Sequence, residues 1–278
     1  MGDLLTILLA SAGAHSKSTS NPLAIADHGW LTGVQVIALQ NAPRGRYYAQ
    51  LALYANSGIS QSNLIGILWG GYITTGETPM SLPNVQVYPG YALVLYAWSG
   101  TNGATTDRFQ ANAMIEGERP SGGGSIFAEP PGSGRGEFLK QTVATPAAGA
   151  NPVAVAAPAY TAWRWIGVTF QLVTAAAVAN RQAQLLVTDG TDFMAGSAGA
   201  VQTASTTVNY LGAFRGSGGS GVVSGNGVGS LCTPDGQFYN GAATFEISIG
   251  GLQAADQVNP VGGGSKITFE VEEWVIPD

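Results

Sequence analysis

Between residues 163 and 190 the chain alternates in character twice. In the first run Val168, Phe170 and Leu172 fall on one side, with Thr169 and Gln171 on the other. After a short break, Ala183, Leu185 and Val187 alternate with Gln182, Gln184 and Thr188. A period of two, rich in β-branched and aromatic residues, predicts strands buried on one face. Thr188-Asp189-Gly190 predicts a turn that ends the second strand.

The same pattern predicts strands over 33–40, 46–55, 64–69, 85–88, 91–98 and 108–116, and over 165–173, 181–188, 200–210, 242–249 and 266–274. Tyr91 to Trp98 is apolar on both faces, which predicts a central strand covered on both sides or one whose outer face meets a partner. Asn41 to Gly45 reads as a turn, and Thr174 to Ala179 has room for one helical turn at most. Gly and Pro crowd residues 119–160, a composition that opposes helix and ladder alike.

Four segments follow: an arm over 1–27, a first β domain over 28–118, a Gly/Pro-rich connector over 119–160, and a second β domain over 161–278. The start of the arm, Leu4 to Ala10, imitates a signal peptide but is preceded by Asp3 and by no Lys or Arg. It is also too short to span a bilayer. Its Leu4, Leu5, Ile7, Leu8 and Leu9 are expected to dock on their own domain or on a neighbouring subunit.

The two β domains read as diverged copies. Gly33-Val34 aligns with Gly167-Val168, and without a gap Ala49-Gln50-Leu51 aligns with Ala183-Gln184-Leu185. Further on, Gly90 to Gly100 aligns with Gly241 to Gly251, and Ile115-Glu116 with Val271-Glu272. An insertion in the second copy, the glycine-rich stretch from Phe214 to Ser230, absorbs the change of offset.

Composition narrows the function. Hydrophobic residues make up 45%, enough for packed cores, but charged residues only 10%, against about 25% in an ordinary domain. The 40 Gly and 14 Pro suit short strands joined by turns. A net charge of −6 with 11 Lys+Arg and no basic run argues against nucleic acid, whose phosphates demand cations. Cys232 is the only cysteine, so no internal disulfide forms.

Candidate chemistry is sparse. Gly216 to Gly221 spells G-x-G-x-x-G, but no βαβ unit surrounds it. His15 and His28 are the only histidines, and neither stands near Cys232 in sequence or beside a nucleophile elbow. No catalytic residue, metal site or cofactor is expected. Glu270 and Glu272 would lie on one face of the last strand and Glu273 on the other. A glycosidase pair needs such carboxylates across a cleft, whereas a solvated stripe opposite Ile267, Phe269 and Val271 accounts for the first two. Asp189, Asp192 and Asp256 read as turn residues. Trp163 and Trp165 share a face with Arg164 between them, and Trp274 falls on the Glu270 side. These three tryptophans are candidates for an interface or a glycan platform. Trp30, Trp69 and Trp98 belong to the first core.

Trp163 to Val173, Ala179 to Gly190 with its Asn180-Arg181-Gln182, Gln253 to Gln257, and Val271 to Trp274 together resemble jelly-roll modules of tailed-bacteriophage virion proteins, such as capsid decoration (cement) proteins and head fibres. The likeness covers the second domain; the first lacks the Asn-Arg-Gln run and the closing Trp. The resemblance implies a jelly roll for the second domain and the internal repeat extends it to the first, giving two tandem antiparallel β-sandwiches of jelly-roll type. It implies a non-enzymatic role on the capsid exterior, with the major capsid protein as partner and a homo-oligomer with a trimer favoured; the acidic composition and the short apolar run leave neither nucleic acid nor membrane as an expected ligand. The stretch 212–230 is a candidate for packing or display at the particle surface. The alternative is a tail-associated or head-fibre module that binds a receptor or carbohydrate.

Overall fold

The computed structural model describes residues 3–39, 47–73, 78–191, 193–213, 222–223, 227–239 and 243–277. The turn expected at 41–45, Asp192 and the G-x-G-x-x-G stretch lie outside them. The chain divides into two compact units. The first comprises residues 1–137, 159–161 and 274–278, and the second 138–158 and 162–273.

The first unit contains β1 (Asp3–Ala10), β2 (Lys17–Thr19), β3 (Leu23–Ala24), β4 (Gly29–Ala38), β5 (Tyr47–Tyr54), β6 (Leu64–Tyr72), β7 (Val85–Val87), β8 (Ala92–Ser99), β9 (Arg108–Glu116) and β10 (Phe127–Ala128). One sheet runs β1-β9-β4-β7 and the other β10-β6-β5-β8-β2. Name the eight main strands B to I in chain order, leaving out β3 and β10. The sheets then read B-I-D-G and C-H-E-F, the strand order of a jelly roll. The arm is extended, as expected, but it is not separate. Asp3–Ala10 pairs antiparallel with β9 along its whole length, as strand B.

The second unit repeats this wiring. Its strands are β11 (Glu137–Ala144), β12 (Val153–Ala156), β13 (Thr161–Val173), β14 (Arg181–Thr188), β15 (Phe193–Gln202), β16 (Thr207–Ala213), β17 (Val222–Val223), β18 (Gly227–Cys232), β19 (Phe238–Tyr239), β20 (Thr244–Gly250), β21 (Gln257–Asn259) and β22 (Lys266–Val275). One sheet follows β11-β22-β13-β16-β18, and the other β12-β20-β14-β15-β17. With β11 to β16, β20 and β22 as B to I, these are again B-I-D-G and C-H-E-F. One appended strand matches as well, since β10 pairs parallel with β6 and β17 parallel with β15, whereas β3 in the first unit and β18, β19 and β21 in the second have no such counterpart.

The repeat read from sequence therefore corresponds to a repeated topology, with one adjustment. Leu51 pairs with Leu95, as Leu185 pairs with Ile247. Leu95 thus corresponds to Ile247, one residue beyond the alignment of Gly90 with Gly241. The supposed connector is divided. Its first part supplies β10 to the first unit, and β11 and β12 open the second. The expected strand 200–210 is two strands, β15 and β16, separated by a turn at 203–206. Part of the 212–230 stretch is ordered as β18, parallel to β16; most of the remainder lies outside the described residues. The segment 174–179 is not helical. Among the described residues Gln61–Asn63 makes a single 3-10 turn, and no helix is long and apolar enough to cross a membrane.

Each unit has its own core. In the first, Val34, Val36, Leu51, Leu53, Trp69 and Phe109 are among the residues between the sheets. In the second, Trp165, Phe170, Leu185, Phe245 and Phe269 pack likewise, with Trp165 stacked on Phe269 and edge-on to Phe245. Strand β13 changes parity on the way. Trp163 and Trp165 point inward, then Val168, Phe170 and Leu172 do, so Ile166-Gly167 absorbs one extra residue as a bulge would.

Candidate interaction surfaces and buried polar clusters

The polar residues singled out in the sequence are mostly internal ties. Arg181 and Asp256 are both fully buried. Arg181 Nε donates to Asp256 Oδ2 at 2.8 Å and Nη2 to Oδ1 at 3.0 Å, a two-pronged pair. Arg181 Nη1 donates to the carbonyls of Ala177 and Ala179. The amides of Ala175 and Gln253 donate to the carboxylate, each at 2.7 Å. Burial by itself would raise the Asp256 carboxyl. The Arg181 hydrogen bond, the two amides and the guanidinium charge outweigh it and hold the group below the usual aspartate value. Asp256 is the turn residue expected, but its ion pair was not foreseen.

Glu272 and Glu273 are buried, which corrects the solvated stripe for Glu272. Glu272 pairs with Arg164, and Glu273 accepts a 2.6 Å hydrogen bond from Trp163 Nε1. Only Glu270 of the three is exposed, near Lys140 at 3.5 Å. Two carboxylates held by an arginine and an indole have little freedom to act as acid and nucleophile.

The tryptophan platform is overturned. Trp163, Trp165 and Trp274 are each at most 1% exposed. The first two fill the second core around Phe245, and Trp274 packs in the first unit. Trp69 lies in the first core as expected. Trp98 belongs to an outer layer of that unit with Lys17 over its ring, and Trp30 is half-buried beneath Arg119. His28 Nε2 is hydrogen-bonded to Gln86 and His15 Nε2 to Thr101. No group of three His, Cys, Asp or Glu able to hold a metal occurs among the described residues.

The arm divides by strand parity. Ile7 and Leu9 are buried in the first core and half-buried Leu5 packs against it, while Leu4 and Leu8 are 67% and 65% exposed. Leu4 lies opposite Met114 on β9, itself exposed. Beside them is a hollow of about 50 Å³ lined by Leu4, Gly33, Gln35, Met80, Asn112 and Met114 among others.

The second unit has its counterpart at the corresponding place. A hollow of about 280 Å³ is lined by Gly167, Val168, Thr169, Leu211, Thr268 and Glu270 among others. Gly167-Val168-Thr169 answers Gly33-Val34-Gln35, and Thr268 and Glu270 answer Asn112 and Met114. Leu211 adjoins Gly212, which pairs with Val168; Met80 adjoins Ser81, which bridges Val34. Both Met80 and Leu211 are about half exposed. A further hollow of about 190 Å³, sharing Ile166 and Glu270, reaches exposed Phe138 on strand B of this unit. Each jelly roll thus carries, on the outward face of its B-I-D-G sheet, a hollow at a glycine rimmed by exposed apolar side chains. The glycine is the common cause, since it removes one side chain from an otherwise filled sheet face. Sequence reading found the Gly-Val alignment but not the hollow, because whether a strand's outer residues are covered is not encoded in its period.

No protein-family model matches the chain, and no curated protein is similar to it. Among solved structures, a chain from the atomic structure of Sulfolobus Turreted Icosahedral Virus aligns over 99% of this chain and 94% of its own, at 11% identity and a TM-score of 0.29. A likeness that distant carries no functional argument.

Proposed function

We propose that the chain is a non-enzymatic structural protein of a bacteriophage virion: a decoration or cement protein on the capsid exterior that strengthens the shell by contacts with the major capsid protein and with further copies of itself, a trimer being favoured. The observation that carries this reading is the pair of matching outward faces. Leu4, Leu8, Met80 and Met114 stand exposed on one jelly roll, and Phe138 and Leu211 on the other. Exposed apolar clusters of this kind mark contact surfaces. Repeated across many copies, individually weak contacts add to near-permanent attachment. A sparsely charged chain lowers the desolvation cost of such contacts. The resemblance of the second jelly roll to phage decoration modules points the same way. The receptor- or carbohydrate-binding alternative loses its main support with the burial of Trp163, Trp165 and Trp274.

Deleting the arm would be a poor test, since it removes strand B along with the exposed leucines. The informative protein is the full chain carrying Leu4→Asp and Leu8→Asp. With purified capsid shells that lack the protein, the wild type should co-sediment and appear as extra density on the shell exterior by cryo-electron microscopy. The double variant should stay folded and remain in the supernatant. Equal binding by both proteins would reject these faces as the contact. Absence of wild-type binding to any shell, or density confined to a tail tip, would reject the cement role.

A further inference from the structure

The first jelly roll has a second apolar layer that its own sheets leave open. On β5, Tyr47, Ala49, Leu51 and Leu53 face the core between the sheets, while Tyr48, Ala52 and Tyr54 face away from it. On β8, Leu93, Leu95 and Ala97 face inward, and Val94, Tyr96 and Trp98 outward. A strand apolar on both faces needs cover on both. Some of the cover comes early in the unit: Lys17 lies over the Tyr96 and Trp98 rings, Tyr48 Oη donates to the Glu129 carbonyl, and the Gly132 amide donates to Tyr72 Oη. The rest comes from two short pieces of the same unit, 159–161 and 274–277. Trp274 and Val275 are buried in this outer layer, and Tyr160 packs beside them. The Ile276 amide donates to the Tyr160 carbonyl at 2.9 Å, joining the two pieces. Tyr72 Oη donates to the Val275 carbonyl at 2.9 Å, and Trp274 Nε1 to the Gly134 carbonyl at 3.3 Å.

We infer that residues 274–276 are a strap that closes the first jelly roll, so that this unit reaches its native state only after the second has been synthesised. Strands β1 to β10 all precede residue 138, yet Tyr160, Trp274 and Val275, which complete the cover of the aromatic face, follow residue 158. Until they arrive, the aromatic layer of Tyr48, Tyr54, Tyr72, Tyr96 and Trp98 lacks Trp274, Val275 and Tyr160 and is covered only in part. An exposed patch of that kind on a partly made chain is an association hazard. A chain cut before Trp274 keeps strands β1 to β10 but loses Trp274 and Val275 from their cover.

The test is hydrogen exchange on the full chain, with a hydrophobic dye as second readout, comparing wild type with Trp274→Ala. Loss of a buried Trp should speed exchange at Ala52, Val94 and Tyr96 by about a hundredfold and produce dye binding. Leu185 and Ile247 in the second unit should be unchanged. In case Trp274→Ala fails to fold, Tyr72→Phe keeps the ring and removes the hydroxyl that donates to the Val275 carbonyl and accepts from the Gly132 amide. It should speed the same first-unit amides about tenfold, again sparing the second unit. Equal acceleration in both units would overturn the strap, as would unchanged exchange in the first unit with either variant.

Discussion

Arg181 and Asp256 hold each other through two hydrogen bonds in a site that neither shares with solvent. They come from Asn180-Arg181-Gln182 and from Gln253 to Gln257. Their role here is mechanical. The guanidinium ties the start of β14 to the loop before β21, and the carboxylate gathers the amides of Ala175 and Gln253. Removing one partner strands the other, so Asp256→Ala should cost about 3–5 kcal/mol. The pH dependence has a definite sign. The folded carboxyl lies below its unfolded value, so its contribution is complete above about pH 4 and is lost as pH falls toward the folded pKa. Acid titration of unfolding should show a steeper loss of stability below pH 4 in wild type than in Asp256→Asn, which starts lower and changes less.

Gly251 follows β20 with φ +72°, and a Cβ there would fall 2.2 Å from the carbonyl oxygen of Asn180. Backbone conformation and space both exclude a side chain next to the Arg181 tie. Gly251→Ala should therefore destabilise the second unit by about 1–3 kcal/mol. Denaturant unfolding is the measurement. Gly90, also at positive φ but with open space around its Cβ position, isolates the conformational part of the cost when changed to Ala.

Trp163 Nε1 donates to a carboxylate that is itself buried. Trp163→Phe keeps much of the ring volume against Phe245 but removes the donor. Leaving a buried carboxylate short of one hydrogen bond should cost about 1–3 kcal/mol. Trp163→Phe combined with Glu273→Gln should recover part of that loss, since a neutral amide tolerates the missing donor better. A smaller loss in the double variant by chemical denaturation supports the tie; strict additivity would not.

Strand parity made most of this legible. Val168, Phe170, Leu172, Ala183, Leu185 and Val187 are all core residues, as their alternation required. The repeat led to the right pairing of domains because Gly33-Val34 and Gly167-Val168 occupy equivalent bulge-side positions. What failed was long-range cover. Trp274 and Glu272 sit in a strand whose alternation would expose one face, and only the folded chain reveals what buries it. β11 and β12 were hidden by proline and glycine in their flanks, and β1 by its resemblance to a leader. The division between β15 and β16 was missed because the polar turn at 203–206 is Thr-Ala-Ser-Thr, with neither Gly nor Pro to mark it.

Burial pushes the Tyr210 phenol up to about 12, and burial also raises Tyr47, Tyr48 and Tyr96. A raised phenol favours the folded state while it stays neutral. That contribution is whole below the unfolded value of about 10 and disappears as pH rises through the folded values. Absorbance near 295 nm should show fewer than the 10 tyrosines ionising reversibly before the chain unfolds in alkali. Tyr210→Phe should flatten the loss of stability between about pH 10 and pH 12.

Leu8 and Leu9 are neighbours in sequence and opposites in environment, 65% and 7% exposed. Strand B pairs them with Gln110 and Phe109 on β9, the first on the outward face and the second against the core. Leu9→Ala should cost about 2–5 kcal/mol through lost burial and a residual cavity. Leu8→Ala should stay within about 0.5 kcal/mol, because its surroundings in the isolated chain are already largely solvent. If Leu8 serves a contact, its cost emerges only on assembly. Leu8→Ala should weaken attachment to shells while thermal unfolding of the free protein is unchanged, and Leu9→Ala should do the reverse at temperatures where it remains folded. Measured side by side, thermal denaturation and co-sedimentation separate a residue that builds the sheet from one that the sheet presents.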